Sequence, residues 1–359
     1  MNFHKYLPIA ALISAVIAIQ LLTYFTGSAY MLTQLTMSAY YSLVIIGLCI
    51  LMGYAGQISL GHAGFFAIGG YISAFLTTCN LLPYRSHSLV SLFSKAGLLN
   101  MSEDLYGGQA LHFHPWAACV MAVLFTIIAA YCIGGPVLKL KGHYLAMATL
   151  GFGIIVYRIV LGTSFFGAAD GLSDVPSFVI FPGLEVSGKS SVRIQNYYIA
   201  SGLVIAGVII LLNLINSRIG RALRAIHGAE DAAGAMGVNT AKYKLHTFVL
   251  SAVFASIAGV LLTHYNGGIG PSEASVMKSV RYVAIVAIGG MANLWGALLM
   301  GFLLNFLSLR GYFGSFDDAV FGSILIIIML FAPEGLLHKN SFRGIKKIFS
   351  HTTKEEGQA

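Results

Sequence analysis

Charged side chains are scarce in this sequence. Lys, Arg, Asp and Glu make up 9% of the 359 residues, whereas a soluble globular chain carries about 25%. Hydrophobic residues make up 57%. The chain therefore lacks the polar surface that would cover a water-soluble core, which excludes an ordinary soluble enzyme, a disordered tail and a nucleic-acid-binding domain. The composition indicates a polytopic integral membrane protein.

Cysteine is also scarce, and the spacing of the cysteines is not that of a disulfide framework or a metal site. The four cysteines lie far apart, within or beside apolar runs, and lack metal-ligand spacing: Cys49, Cys79, Cys119 and Cys132. They are typical of small buried hydrophobic residues, so neither a disulfide framework nor a metal site is predicted.

The sequence contains many long apolar runs. A membrane-crossing helix needs about 20 mostly apolar residues, and eight runs qualify: 7–25, 30–52, 116–134, 144–161, 197–215, 245–265, 294–309 and 319–337. Two further stretches, 61–78 and 282–291, are apolar but short or interrupted by glycine. The predicted fold is all-α, with eight firm transmembrane helices and two broken or partial ones.

The basic residues indicate an orientation. With the amino terminus placed in the cytoplasm, thirteen Lys and Arg side chains fall on the inner side and seven on the outer side, namely Arg85, Lys95, Lys189, Arg193, Lys278, Arg281 and Arg310. This excess follows the positive-inside rule, so both termini are predicted to be cytoplasmic. The predicted membrane domain is 1–337, with outer loops at about 80–115 and 162–196 and a basic cytoplasmic tail at 338–359.

Acidic residues are few, and none is predicted to lie at the middle of a span. An ion-coupled secondary transporter would be expected to carry its coupling acids there. This class is therefore an alternative that the sequence disfavours.

A glycine-rich stretch from Gly47 to Gly70 contains seven glycines together with Gln57, Ser59 and His62. Glycine lets a helix unwind, and irregular backbone at membrane depth is tolerated only where protein or water covers it. A polar pathway and helix packing through small residues are equally good interpretations. An intramembrane hydrolase would need a complete constellation of catalytic groups, and no matching partner motif is present.

Two other patterns concern packing and phosphate binding. Ser251, Ala255 and Gly259 recur every four residues, which predicts a face against which another helix closes. Residues 183–190 match the phosphate-loop pattern, but they lie in a predicted loop, and no apolar strand ending in Asp follows to hold magnesium. We interpret that match as a coincidence.

The inner connection at about 216–244 is the most specific feature. Helical spacing places three apolar side chains on one face of a short helix and three arginines on another: Ile219, Leu223 and Ile226, and Arg218, Arg221 and Arg224. Acidic and small residues follow, before Gly237 is predicted to end the helix: Glu230, Asp231, Ala232 and Ala233. The segment suits docking into a partner's groove, and a solvated helix on the lipid surface is the alternative.

Six blocks, taken together, resemble a known family: Gly-Gln-Ile-Ser-Leu-Gly-His-Ala (56–63), Lys-Gly-His-Tyr-Leu-Ala-Met-Ala-Thr-Leu-Gly-Phe-Gly (141–153), Gly-Arg-Ala-Leu-Arg-Ala-Ile (220–226), Glu-Asp-Ala-Ala with Met-Gly-Val-Asn (230–239), Ile-Gly-Gly (288–290) and Pro-Glu-Gly-Leu (333–336). The chain is similar to the inner-membrane permease subunits of ATP-binding-cassette (ABC) importers for branched-chain amino acids. Urea and short-amide permeases belong to the same family and are the alternative.

The resemblance implies a subunit of a bacterial inner-membrane importer that has no ATPase site of its own and binds no cofactor. The implied partners are a second permease, two cytoplasmic ATPases that use ATP and Mg, an extracytoplasmic solute-binding protein and the lipid bilayer, with no nucleic acid. The implied ATPase-coupling residues are Arg221, Arg224, Glu230, Asp231, Ala232, Ala233 and Gly237. Candidates for the translocation path are Gln57, Ser59, His62, Tyr144 and Thr149.

The sequence departs from the family's usual pattern at several places. Ala168, Ile154, His143 and His227 stand where relatives tend to carry other residues. These departures leave the architecture unchanged and leave the solute open.

Overall fold

The computed structural model describes residues 7–84, 93–94, 97–103, 109–140, 142–312 and 314–331. The predicted tail at 338–359 lies outside the described residues, as do Arg85, Lys95, Lys141 and the block at 333–336. The helices are α1 (Leu7–Phe25), α2 (Met31–Cys49), α3 (His62–Thr78), α4 (Pro115–Val137), α5 (His143–Gly162), α6 (Arg193–Asn216), α7 (Arg218–Gly228), α8 (Glu230–Ala235), α9 (Thr240–Asn266), α10 (Val276–Gly289), α11 (Leu294–Leu309) and α12 (Asp317–Phe331). A π-helical turn, Ile50–Tyr54, extends α2.

The helical, polytopic architecture is confirmed, but the count of eight firm spans is not. Among the described residues, six helices are long and apolar enough to cross a membrane: α1, α2 with its π-helical turn, α4, α5, α6 and α9. Helix α11 is apolar but has 16 residues, and α12 is described over 15. The two partial spans form α3, with 17 residues, and α10, with 14.

Helices α2 and α9 form the centre of the bundle, and α3 packs along α9. The contact depends on small residues, because a Cβ atom on Gly259 would lie 2.1 Å from the carbonyl oxygen of Phe66. Ser251 and Ala255 are buried on the same helix. The predicted small-residue face is therefore confirmed.

Two antiparallel hairpins lie in connections that we predicted as loops, and they are an addition to the all-α prediction. The first pairs β1 (Leu99–Glu103) with β2 (Gln109–Phe113), and the second pairs β3 (Phe178–Phe181) with β4 (Leu184–Val186). The second hairpin packs on the bundle, since the ring of Phe178 lies 5.0 Å from that of Trp116 at the start of α4. We call the end of the bundle that carries this hairpin the hairpin end. The opposite end carries α7 and α8, and we call it the α7 end.

Candidate translocation and coupling sites

The connection at about 216–244 begins with a tight turn between α6 and α7. The Ser217 hydroxyl caps α7 by accepting hydrogen bonds from the backbone N–H groups of Ile219, at 3.1 Å, and Gly220, at 3.4 Å. A Cβ atom on Gly220 would lie 2.1 Å from the carbonyl oxygen of Ile215. Glycine is therefore required for α7 to leave α6 at this angle.

Helix α8 is tied to the start of α9. Glu230 forms an ion pair with Lys244, which is largely buried. As predicted, α8 ends before Gly237, whose φ of +84° is in the left-handed region that glycine adopts readily. The Asn239 side chain then caps α9 by accepting from the Lys242 N–H at 3.0 Å. The short helix is thus attached directly to one of the two central helices.

The outer surface of this segment carries most of the predicted coupling residues. Arg221, Arg224, Asp231 and Ala232 are exposed, and so is Met236, at 86%. Met236 was not among the residues predicted from the sequence, and local spacing gives no signal for it, because a single exposed apolar side chain is common on protein surfaces. The exposed set therefore combines arginines, an acid, a small residue and one large apolar side chain.

The predicted sidedness of the segment is only partly correct. Leu223 and Ile226 are buried, but Ile219 is 45% exposed. Gly220 takes the buried position because its bare backbone packs against the end of α6. Ala233 is buried as well, so it contacts its own chain and does not lie on the outer surface.

A non-helical segment, residues 55–61, joins α2 to α3 and re-enters the bundle. At the α7 end, a Cβ atom on Gly56 would lie 3.0 Å from Nδ1 of His227, which is in the last turn of α7. Six residues later, His62 Nε2 hydrogen-bonds to Ser251 Oγ at 2.7 Å. Since Ser251 is near the middle of α9, helix α3 begins at mid-depth and not at the membrane surface.

The Ser59–His62 pair is a packed polar network. His62 Nδ1 lies 3.1 Å from Ser59 Oγ, and Nε2 is bonded to Ser251. Both ring nitrogens therefore meet serine hydroxyls, which leaves neither nitrogen for the group that orients a catalytic base. The geometry gives the hydrolase interpretation no support.

Four of the five candidates for the translocation path gather at this break. They are all buried: Gln57, Ser59, His62 and Thr149. Thr149 Oγ1 accepts from the backbone N–H of Leu60 at 3.0 Å, and the side-chain amide of Gln57 makes no hydrogen bond to any described residue. Tyr144 lies apart from them, 72% exposed at the start of α5.

A second break separates α9 from α10 and contains a short 3-10 turn, Pro271–Ala274. The Ser279 hydroxyl, at the end of the first turn of α10, accepts from the backbone N–H of Ala63 at 3.2 Å. The amino-terminal turns of α3 and α10 therefore meet inside the bundle. Both helix starts carry partial positive charge, so the two breaks place their positive ends close together.

An ion pair lies at the second break. Glu273 Oε1 accepts from the Tyr41 hydroxyl at 3.0 Å and from Lys278 Nζ at 3.0 Å, and Nζ also donates to the Tyr41 oxygen at 3.0 Å. Tyr41 lies near the middle of α2. The carboxylate is therefore inside the bundle, at about the depth where α3 begins.

The assignment of Lys278 and Arg281 to an outer loop is wrong, because residues 271–281 re-enter the bundle. Arg281 pairs with Asp317 at 2.9 Å. The prediction that no acidic residue lies at mid-depth is wrong at Glu273. A signal for this was available, since a stretch rich in glycine and proline next to a short apolar run often marks a break in a transporter helix.

Neither a nucleotide-binding loop nor a metal cluster is found in the part of the chain that the structure describes. Residues 184–186 of the phosphate-loop match form strand β4, and Lys189 lies 3.6 Å from Glu185. A phosphate loop instead follows a strand and opens a helix. The described residues contain no group of three or more His, Cys, Asp or Glu side chains that could hold a metal ion.

Comparison with known proteins identifies relatives over most of the chain. Residues 30–332 match the family of branched-chain amino acid transport system permease components. The high-affinity branched-chain amino acid transport system permease protein LivM of Salmonella typhimurium is 30% identical over 323 residues, which cover 84% of this chain and 68% of LivM. LivH of Escherichia coli is 25% identical over 86% of this chain and 94% of LivH, and BraD of Pseudomonas aeruginosa is 25% identical over 84% and 93%. No solved structure matches.

Proposed function

The chain belongs to the family of branched-chain amino acid transport system permease components, and we propose that it is the membrane-spanning subunit of an ABC importer that moves branched-chain amino acids inward. The family match carries this proposal, because residues 30–332 include both breaks and the connection at 216–244. The solute follows the printed names of LivM, LivH and BraD. Urea or a short amide is the alternative solute.

In this proposal the chain pairs with a second permease in the bacterial inner membrane. Two cytoplasmic ATPases bind and hydrolyse ATP with Mg, and an extracytoplasmic protein delivers the solute at the hairpin end. Both termini and the α7 end lie in the cytoplasm. The chain itself supplies the pathway and the coupling surface, and it binds no cofactor.

The coupling surface consists of Arg221, Arg224, Asp231, Ala232 and Met236. Their exposure supports a docking role, and the ion pair between Glu230 and Lys244 connects this surface to α9. Gly237 shapes the turn, and Ala233 packs beneath the surface. Movement of a docked ATPase would therefore reach a helix that crosses the whole bundle.

The path candidates at the first break are Gln57, Ser59, His62 and Thr149. Their support is burial of polar groups around an unwound segment, which is the usual setting of a polar route through a membrane protein. Tyr144 lies apart from this group, and its place on the translocation path stays a prediction.

ATP-driven uptake tests the function directly. Vesicles reconstituted with this chain, its partner permease, both ATPases and the binding protein are expected to accumulate radiolabelled leucine only when ATP is present. Accumulation driven by an ion gradient without ATP would instead identify a secondary transporter. Preferential uptake of radiolabelled urea would identify the alternative solute.

Gly237→Val tests the coupling surface. A β-branched residue at φ +84° is strained by about 1–2 kcal/mol, so the turn after α8 should distort. We expect loss of co-purifying ATPase and at least about tenfold lower uptake, with the membrane domain still eluting as a single species.

Gly183→Val is the matched control, because Gly183 has a φ of +88° and open space around it but lies at the hairpin end. It should retain the ATPases. If Gly237→Val retains ATPase attachment and uptake as well as Gly183→Val does, the segment is an ordinary solvated helix.

A further inference from the structure

Within the described part of the chain, three buried polar atoms around the second break have no partner. Oε2 of Glu273 and the hydroxyls of Tyr71 and Tyr282 make no hydrogen bond to any residue that the structure describes. Both tyrosines are 1% exposed. A buried polar group without a partner costs about 1–3 kcal/mol, and such groups are rare. One carboxylate oxygen and two phenols at the same break therefore leave hydrogen-bonding capacity for a group that is not part of this chain.

The three atoms come from different elements that meet at the second break. Tyr71 on α3 belongs to the same buried cluster as Ala274, the neighbour of Glu273 in the chain, and Tyr282 is on α10. The Tyr282 ring lies 6.3 Å from the ring of Tyr41, whose hydroxyl donates to Glu273 Oε1. The other carboxylate oxygen, Oε2, has no partner among the described residues.

The contacts of Glu273 Oε1 indicate which kind of group this cluster binds. Lys278 presents an ammonium group that is bound by Glu273 Oε1 and the Tyr41 hydroxyl, each at 3.0 Å, and it lies 4.5 Å from the centre of the Tyr41 ring. Oε2 with two further phenols repeats that set of acceptors. An ammonium group has three donors and a positive charge, and it would satisfy all three acceptor oxygens.

The charge balance favours a zwitterion over a simple cation. Glu273 and Lys278 neutralise each other, so an added lone cation would remain uncompensated in a low-dielectric site. An α-amino acid adds no net charge, and the nearby positive ends of α3 and α10 suit its carboxylate. Amino acids are thus better matched to the cluster than urea or an inorganic cation.

The cluster is accessible from one side. The side chains of Glu273 and Lys278 are 19% and 23% exposed, and Met277 and Val280 of α10 are exposed beside them. This face of α10 is therefore not covered by any residue that the structure describes. In the proposed importer it would border the pathway or the second permease.

We propose that Glu273, Tyr71 and Tyr282 bind the ammonium group of the amino acid as it crosses the membrane domain. This inference rests on the proposed function and adds a binding site to it. The site is distinct from the cluster around Ser59 and His62, although the contact between Ala63 and Ser279 places the two breaks next to each other.

Removing one hydroxyl at a time distinguishes an effect on solute binding from an effect on the stability of the protein. Tyr71→Phe and Tyr282→Phe each delete an oxygen that has no partner among the described residues, so the thermal unfolding midpoint should stay the same or rise. A hydrogen bond to a charged group is worth about tenfold or more in affinity, so uptake at low leucine concentration should fall by about tenfold in each variant. Glu273→Gln, which keeps the shape of the side chain, should lower uptake further.

Tyr40→Phe is the matched control. Its hydroxyl is also buried and without a partner among the described residues, but its ring neighbours Tyr265, at 6.2 Å between centres, and not Glu273. Uptake should be unchanged in this variant. Normal leucine uptake in both Tyr71→Phe and Tyr282→Phe, or an equal loss in all three tyrosine variants, would overturn the site while leaving the proposed function intact. A wild-type complex without ATP-driven leucine uptake would overturn the proposed function and this site with it.

Discussion

Helices α1 and α2 have the same mean hydropathy but opposite positions in the molecule. Only 11% of the apolar segment of α1 is buried inside the protein, whereas 94% of that of α2 is buried. Helices α4 and α5 resemble α1 in this respect, at 28% each, and α9 resembles α2, at 72%. Lipid is as apolar as a leucine-rich core, so hydropathy reports whether a helix enters the membrane and not where it lies within the bundle.

Glycines within the spans differ in how closely a neighbouring helix approaches them. On α2, a Cβ atom on Gly47 would lie 2.9 Å from Cβ of Phe254 in α9. On α6, a Cβ atom on Gly202 would meet no described atom within 4 Å. A glycine in a span is therefore informative only when its partner is known, and the following substitutions test that difference.

Gly259→Leu should have the largest effect. The added side chain would collide with the backbone of Phe66, 2.1 Å from the new Cβ atom, and backbone cannot move aside as a flexible side chain can. We expect loss of the monodisperse complex in size-exclusion chromatography. Gly202→Leu is the matched control and should elute normally, and Leu261→Met should be nearly silent. Equal behaviour of the two glycine variants would mean that the α3–α9 contact does not hold the bundle together.

Leucine-to-alanine changes on α1 and α2, which have equal mean hydropathy, should differ strongly in how much they destabilise the protein. Leu48 on α2 is fully buried, and its truncation should destabilise the protein by about 2 kcal/mol or more because a cavity remains. Leu22 on α1 is 66% exposed, where lipid fills the vacated space, so its truncation should cost less than about 0.5 kcal/mol. Thermal unfolding in detergent measures both. Similar losses would show that α1 is covered by protein in the assembled complex.

His62→Leu should have a smaller effect than Leu48→Ala. Hydrogen bonds between membrane helices contribute only about 0.6 kcal/mol on average, and His62 makes one such bond, to Ser251. We expect a loss of about 1 kcal/mol, with Ser251→Ala adding little to it. A loss larger than that of Leu48→Ala would show that polar contacts, and not close packing, dominate the centre of the bundle.

Features with a local cause could be predicted from the sequence. The long helices follow from apolar runs, the end of α8 from Gly237, and the packing face of α9 from small residues four apart. Each signal lies within a few turns of the structure that it determines.

Features that depend on a distant partner could not be predicted in this way. The position of Glu273 is set by Tyr41, which lies 232 residues earlier in the chain, and no local pattern shows that residues 271–281 re-enter the bundle. Helical spacing also leaves open which side of α7 faces protein. The exposure of Ile219 and the burial of Gly220 follow from the angle of the turn at Ser217.

The length of α9 has a mechanical consequence. Its 27 residues contain no proline and form a stiff rod about 40 Å long. One end is joined to α8 by Glu230 and Lys244, and the other leads into the break that carries Glu273. A tilt of about 5° would shift the far end by about 3–4 Å, more than the length of a hydrogen bond. The helix is thus a lever through which a slight push on α8 would make or break contacts at the break that carries the Glu273 carboxylate.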